Sequence, residues 1–456
     1  MENSIAEIAE KFIKNLTKIM TTGEKSFAQM EKGVWMEVKS CAAELMSKYV
    51  KEVDAAIAAD KAGRKEMGYA VERRGDERQI QTQFGAVSYQ RTYYKKAVGG
   101  YEYLTDTVMG IESRERVSER LSLLLANAAK DMSYAKASNH ITEGSVSRQT
   151  VMSRVRRGTA AERLPAEKKQ VPELHIDADE AHITLRGGKK SEVPLISVYE
   201  GIERRGKRNR CKDIFHISEY GKKPDELWEQ ALDEIESRYV LDNTKIYLHG
   251  DGGNWIQTGY EWIPNAEFVL DKYHKNKAIK AMTAGLDVTS RKLFEKEIRE
   301  TLNQEDIRFF EELAQSLCDQ FPERKDKISD SVKYLKRFVK GISICAKDPR
   351  ANNGGCTEPH VSHVLSARLS SRPMAWSGKT LKKLAPVLAA GNVSSMGKEV
   401  PQALPEPLRN AAVSANKAFR RGAKRGTAGL PDPAAIGVIP LMNGKVYQVQ
   451  KILQAF

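Results

Sequence analysis

The sequence predicts a protein of mixed α+β and α/β class, on three observations. Apolar residues recur at three-to-four spacing through the first 60 residues and again from Ala278 to Ile344, which predicts helices. Between Pro172 and Leu270 the period changes to two, which predicts a set of strands. Only one clear amphipathic helix interrupts those strands, Pro224 to Tyr239, with Leu227, Trp228, Ala231, Leu232 and Ile235 on one face.

At 456 residues the chain exceeds one ordinary core, so several domains are expected. It has no run of about 18 apolar residues, and Met1 to Lys14 alternate charged with apolar positions. A membrane span and a secretory signal are therefore not expected, and the predicted location is the cytoplasm, in association with the nucleoid. Five cysteines, odd in number and without a CxxC pair, argue against a disulfide framework and a zinc ribbon. The 74 basic against 60 acidic residues leave a net charge of +14, which favours a polyanionic partner such as double-stranded DNA over a merely solvated basic surface.

In chain order, Ser4 to about Lys61 predicts two helices separated near Gly23, suited to packing or self-association. Arg78 to Lys96 alternates with period two and predicts a β-hairpin turning at Gly85. A Leu- and Ala-rich helix, Ser118 to Lys130, follows. Met132 to Arg157 then divides into helix, turn and helix, with the turn at Thr142 to Gly144 and with Val146, Val151 and Val155 returning to a small core. The outward face predicted for the second helix carries Ser145, Ser147, Arg148, Gln149, Ser153, Arg154 and Arg156. Arg and Gln on such a face suit base edges in a major groove, and Ser and Arg suit phosphates.

After a charged linker, Pro172-Glu-Leu-His-Ile-Asp-Ala-Asp-Glu-Ala-His-Ile-Thr-Leu185 predicts a strand with His175, Asp177 and Asp179 on one face. Two carboxylates on one strand face repel each other and resist burial unless a cation neutralises them. Glu192 to Glu200 and Cys211 to Ser218 predict two further strands in an antiparallel meander. A fourth strand, Lys245 to Gly250, runs into Asp251-Gly-Gly-Asn-Trp255, which sets Asp251 at the carboxyl end of a strand, where ligands of mixed sheets collect. A fifth, Glu267 to Leu270, precedes the basic run Asp271-Lys-Tyr-His-Lys-Asn-Lys277, suited to a phosphate path. Beyond the helical stretch, Pro359 fits a first helical position, with Glu358 at the helix start and His360, His363, Arg368 and Arg372 near the carboxylates, the two arginines as candidates to bind DNA there. Cys356, His360 and His363 lack a fourth ligand at a usual spacing, so zinc is not predicted. Past Leu381 the chain turns Ala-, Pro- and Gly-rich, with a basic run through Lys417, Arg420, Arg421, Lys424 and Arg425, and a loosely ordered, DNA-facing tail is expected.

Three strands, a helix, a fourth strand and a later helix bearing an acid is the element order of the ribonuclease H-like fold. In that order Asp179 or Asp177, Asp251 and Glu358 converge. Three converging carboxylates call for Mg²⁺ or Mn²⁺. The boundaries that follow are a helical region at 1–75, a hairpin and helix-turn-helix DNA-binding region at 76–165, a ribonuclease H-like catalytic domain at 166–385 with a helical insertion at about 278–350, and a basic tail at 386–456.

Four segments carry a resemblance as well: Pro172 to His182; His249-Gly-Asp-Gly-Gly-Asn-Trp-Ile256; Leu270-Asp-Lys-Tyr-His274; and Cys356-Thr-Glu-Pro-His-Val-Ser-His-Val-Leu-Ser-Ala-Arg-Leu-Ser-Ser-Arg-Pro373. Together they resemble a formerly uncharacterised family of bacterial insertion-sequence DDE transposases, similar to Mutator-type enzymes. The resemblance runs over nearly the whole chain, and its last segment is the most specific. It favours Asp179 over Asp177 as first acid, with Asp251 and Glu358 as second and third. It implies an enzyme that binds the terminal inverted repeats of its element, cuts the DNA ends and joins them to a target with Mg²⁺ or Mn²⁺, as a homodimer or larger synaptic assembly. A DNA-binding regulator without chemistry and a structure-specific nuclease are the alternatives.

Overall fold

The computed structural model describes residues 4–23, 25–160, 167–205, 208–396 and 403–427. The chain forms two compact units, one of 1–125, 138–148 and 398–456, the other of 126–137 and 149–397.

In the first unit, helices α1 (Ile5–Thr21) and α2 (Phe27–Ala59) each begin at a serine whose hydroxyl accepts from the backbone three residues on, completing a capping box. A long hairpin of β1 (Tyr69–Thr82) and β2 (Gly85–Lys96) packs on α2. It turns where expected, with Thr82 paired to Gly85, but it starts nine residues before Arg78. Two register shifts, between Val71 and Arg73 and between Arg73 and Asp76, break the alternation there. The expected loose tail contains instead the helix Glu406–Thr427, which packs on α1 and α2. Leu408, Ala411 and Ala415, at helical spacing, join Val53, Ile57 and Tyr94 in one core. Earlier in that stretch Gly378–Ala390 is a helix and Val393–Ser395 a strand, while residues 397–402 and 428–456 lie outside the described residues.

Next along the chain come α3 (Glu119–Asp131), α4 (Tyr134–Thr142) and α5 (Arg148–Arg157). The turn between α4 and α5 uses positive φ at Glu143 and Gly144. Thr142 Oγ1 accepts from Val146 N (3.3 Å) within it.

The second unit is built on a five-stranded sheet of β3 (Glu173–Thr184), β4 (Lys190–Tyr199), β5 (Phe215–Ile217), β6 (Lys245–Gly250) and β7 (Ala266–Leu270). The strand order is β5-β4-β3-β6-β7. Pairs β5–β4 and β4–β3 are antiparallel, and β3–β6 and β6–β7 are parallel. Helices α6 (Pro224–Arg238) and α7 (Asn254–Trp262) bury Leu227, Trp228, Ala231, Ile235 and Ile256 against Leu174, Ile176, Ile196 and Leu248 of the sheet.

Five helices follow β7: α8 (Lys272–Thr283), α9 (Val288–Gln304), α10 (Ile307–Gln320), α11 (Lys325–Arg337) and α12 (Val339–Lys347). They share a core of Ile279, Met282, Ile298, Leu302, Phe310, Leu317, Ile328 and Leu335. Helix α13 (Thr357–Val361) continues through a π-helical turn, Ser362–Ser366, into Ala367–Leu369. Among the described residues no helix is long and apolar enough to cross a membrane.

Candidate functional site

The sheet sets a row of acids where the parallel pairing of β3, β6 and β7 ends, although β3 itself runs on to Thr184 beside β4. On β3 and β6, Asp177 pairs with His249, and the same offset two residues on puts Asp251 beside Asp179. On β6 and β7, Gly250 pairs with Leu270, so Asp271 is next in the row, its N–H donating to Gly250 O at 3.0 Å. Close approach of β3 and β6 depends on Gly250, where a Cβ would stand 3.0 Å from Ala178 O. Beyond it the chain turns at Gly252 with φ +83°.

Each acid of the row is held differently. Asp179 is half-buried and accepts the N–H of Glu180 at 2.8 Å. Burial, followed by the charges of Glu180 and Asp251, pushes its pKa up to about 7. The Asp251 carboxylate accepts from Gly253 N (2.7 Å), and its carbonyl accepts from Tyr334 of α11 (2.8 Å). Asp271 is buried and caps α8, accepting from Tyr273 N at 2.6 Å and meeting the His274 ring with its other oxygen. That contact, reinforced by Asp251 and Asp179, holds the His274 pKa above its ordinary value.

Asp177 is withdrawn from this row. It is 1% exposed, and its Oδ2 accepts from Tyr199 OH (3.0 Å) and Cys356 N (2.9 Å) and lies 3.1 Å from His360 Nδ1. Burial alone would raise its pKa, but the His360 contact and the charge of His249 hold it below the usual carboxylate range. The catalytic role open to Asp177 from sequence is therefore corrected: this carboxylate anchors the start of α13. Nearby, His175 Nδ1 and His249 Nε2 meet at 3.0 Å, both buried, and the loop at Gly354 packs on them where a Cβ would collide.

Glu358 stands in the first turn of α13, which packs on β3, but its side chain is exposed. The structure thus pairs Asp179 with Asp251 and leaves the Glu358 carboxylate in solvent. The charges acting most on Asp179 are those of Glu180, Asp251 and His274.

Ser145, Ser147, Arg148 and Gln149 are exposed on and before the first turn of α5, as the expected outward face requires. Arg154 is not: it is 9% exposed, sharing its helix face with buried Val151 and Val155. Arg156 is partly buried and donates to Thr380 Oγ1 (3.0 Å) and Ser377 Oγ (3.2 Å). Arg368, expected near DNA, is 6% exposed, donates to Ala129 O at 2.9 Å and lies over the Trp376 ring. Both buried arginines follow an apolar residue by three positions and precede another by one, which places them on the buried helix face. Arg372 is exposed and lines a cleft of about 1040 Å³ with His182, Lys190, Glu192 and Ser370.

Sequence reasoning missed Asp271, His274 and Glu180 as members of the site. An acid directly after a strand and before a helix is the available signal for Asp271, since one side chain there can both cap the helix and face the strand ends. Glu180 accepts from Trp255 Nε1 at 2.7 Å. With His182 and Glu192 it forms the group, among the described residues, whose ligand atoms lie within 4.8 Å of one another. Asp179 and Asp251 offer hard oxygen donors of the kind Mg²⁺ or Mn²⁺ takes, and the raised pKa of Asp179 reflects first its burial and then the charges of Glu180 and Asp251.

The chain is similar to several bacterial proteins. The UPF0236 protein TTE2489 of Caldanaerobacter subterraneus subsp. tengcongensis is 34% identical over 352 residues, covering 75% of this chain and 73% of its own. The UPF0236 protein TTE0402 of the same organism is 34% identical over 346 residues, covering 74% and 68%. A third relative there, also 34% identical over 352 residues and covering 75% and 73%, bears eleven locus designations in a single name. The family model described as "Uncharacterised protein family (UPF0236)" matches residues 20–400, and the chain belongs to that family.

Proposed function

We propose that the protein is a DDE-type DNA transposase that binds the terminal inverted repeats of an insertion sequence, cleaves the DNA ends and transfers them to a target. The observation that carries this reading is the proximity of Asp179 and Asp251 just past the last parallel pairing of β3 with β6, His249 with Asp177, close enough that the Asp251 charge helps raise the Asp179 pKa. The strand order, with two antiparallel and two parallel pairings around β3, supports a ribonuclease H-like core. A relative named for eleven loci of one genome fits a gene that multiplies by transposition. The exposed first turn of α5 and the net charge of +14 suit a helix-turn-helix on DNA.

In this reading Asp179 and Asp251 would hold Mg²⁺ or Mn²⁺, with the exposed Glu358 as the third acid. Such an ion, when bound there, would activate the attacking hydroxyl and stabilise charge at the leaving oxygen. The protein positions that chemistry through Gly250, which lets β3 and β6 close up, and through Tyr334, which fixes the Asp251 main chain. His274 stands beside the acids, against Asp271, which raises its pKa.

The test uses a duplex carrying the inverted repeat that flanks the reading frame. Asp251→Ala is expected to abolish Mg²⁺-dependent cleavage and strand transfer while keeping repeat binding. Unchanged transfer overturns the assignment. Cleavage without joining in the unaltered protein favours the nuclease alternative, and binding without either favours the regulator.

A further inference from the structure

In the first unit, the early turns of α2 hold large apolar side chains in solvent. Phe27 is 79% exposed and Trp35 59%. With Val38, and with Met20 of α1, they line an open groove of about 900 Å³ whose charged lining residues are Glu31 and Lys32. Met46 is exposed farther along the helix. Steps of four, four, three, four and four residues put Phe27, Glu31, Trp35, Val38, Ala42 and Met46 on one stripe of α2. At the helical rise it is about 28 Å long.

Toward the end of α2 the same stripe is covered. Tyr49, Val53 and Ala56 continue it, and there the helix Glu406–Thr427 packs on them through Leu408, Ala411 and Ala415. Tyr49 also donates to Asn416 Oδ1 (2.8 Å) and meets the Phe419 ring edge-on. This face of α2 is thus built to receive a helix, and its first half receives none among the described residues. An apolar surface of this kind marks an interaction site.

What fits it follows from the spacing, which reads the same in both directions about the midpoint between Trp35 and Val38. A second α2 laid antiparallel across a two-fold axis there sets Trp35 against Val38, Glu31 against Ala42 and Phe27 against Met46 of the second copy, each twice. Glu31 is the charged residue of the stripe. In this register it comes within one helical turn of Lys39 of the second copy, a residue that flanks the stripe and whose own-chain carboxylate, the exposed Glu143, is 3.9 Å away. A parallel pairing would instead bring Glu31 onto Glu31, which like charges disfavour. We propose that the stripe is a dimer interface, occupied by the same stripe of a second copy of this chain in antiparallel register.

The test is the oligomeric state of the full chain, without DNA or metal, by sedimentation velocity over a concentration series. A dimer is expected. Trp35→Glu should weaken self-association roughly tenfold or more, since an aromatic at the centre of an interface carries much of its affinity. Its side chain is exposed in the single chain, so the far-ultraviolet circular dichroism should not change. Glu31→Lys and Lys39→Glu should each weaken the dimer, and the two together should restore it, because the exchanged charges meet again across the axis. Damage to the fold would give no such rescue. A monomeric unaltered chain overturns the proposal, and dimerisation only after deletion of 428–456 overturns it in favour of that segment as the cover. A dimer indifferent to Trp35→Glu and to both charge exchanges overturns it too. None of these readouts involves Asp179, Asp251 or DNA, so failure here is distinguishable from failure of the transposase reading.

Discussion

Asp177 and Asp179 stand two residues apart on the same face of one strand and yet have opposite environments. Asp177 is enclosed by donors, and its pKa is lowered; Asp179 is half-buried with other acids nearby, and burial first, then their charge, raises its pKa to about 7. The consequences for stability have opposite sign. Asp177→Ala leaves Tyr199 OH and Cys356 N without their acceptor, removes the carboxylate beside His360, and should cost about 3–5 kcal/mol in chemical denaturation. Asp179→Asn should instead stabilise the metal-free protein at pH 8, by roughly 1–3 kcal/mol. A carboxyl whose folded pKa exceeds its unfolded value favours folding only when protonated. The gain from Asp179→Asn should therefore shrink as pH falls through 7 and vanish near the unfolded value of 3.8. Denaturation in chelator at pH 8 and pH 4 measures both variants, and a destabilised Asp179→Asn at pH 8 would contradict this electrostatic account. Sequence alone left the two aspartates unresolved because strand parity fixes the face of a side chain and not its depth. Arg154 and Arg368 were misassigned for a related reason: charge was taken to imply exposure, while their spacing from Val151, Val155, Leu365 and Leu369 pointed inward.

At the scale of elements, the strands were legible wherever alternation was unbroken, and so was the turn of the hairpin. Where β1 carries two register shifts, the period fails and the strand start was missed. The helix Glu406–Thr427 was hidden because its buried face is largely alanine, with basic residues around it, a composition that also describes a solvated tail. Strand ends, by contrast, are set by glycines whose role only coordinates reveal. Gly252 combines φ +83° with a ring of Phe338 where its Cβ would be. Gly252→Ala should therefore strain the turn and displace Phe338, costing about 2–4 kcal/mol. It should also lower activity by moving Asp251. Thermal melts together with the strand-transfer assay check this, and an unperturbed melting temperature would mean that Phe338 yields without cost.

For the whole molecule, the net charge of +14 matters through counterion release. If about 6–10 phosphates are contacted, DNA affinity should fall roughly 10³- to 10⁵-fold between 50 and 200 mM salt. Exposed Arg148 should contribute to that slope and buried Arg368 should not. Binding isotherms of Arg148→Ala and Arg368→Ala over a salt series separate them, and a flat response in the unaltered protein would remove the charge argument. The sequence disclosed the order of strands and helices and two of the acids that meet. It did not disclose the third member of the row, Asp271, or the exposed position of Glu358, because both depend on how the strand ends and α13 pack. The most direct measurement of the central claim is a Mn²⁺ titration followed by electron paramagnetic resonance on the unaltered chain, Asp179→Asn and Asp251→Asn. Saturable Mn²⁺ binding by the unaltered chain, lost or weakened at least tenfold in both variants, is the predicted result; equal binding in all three proteins would contradict it.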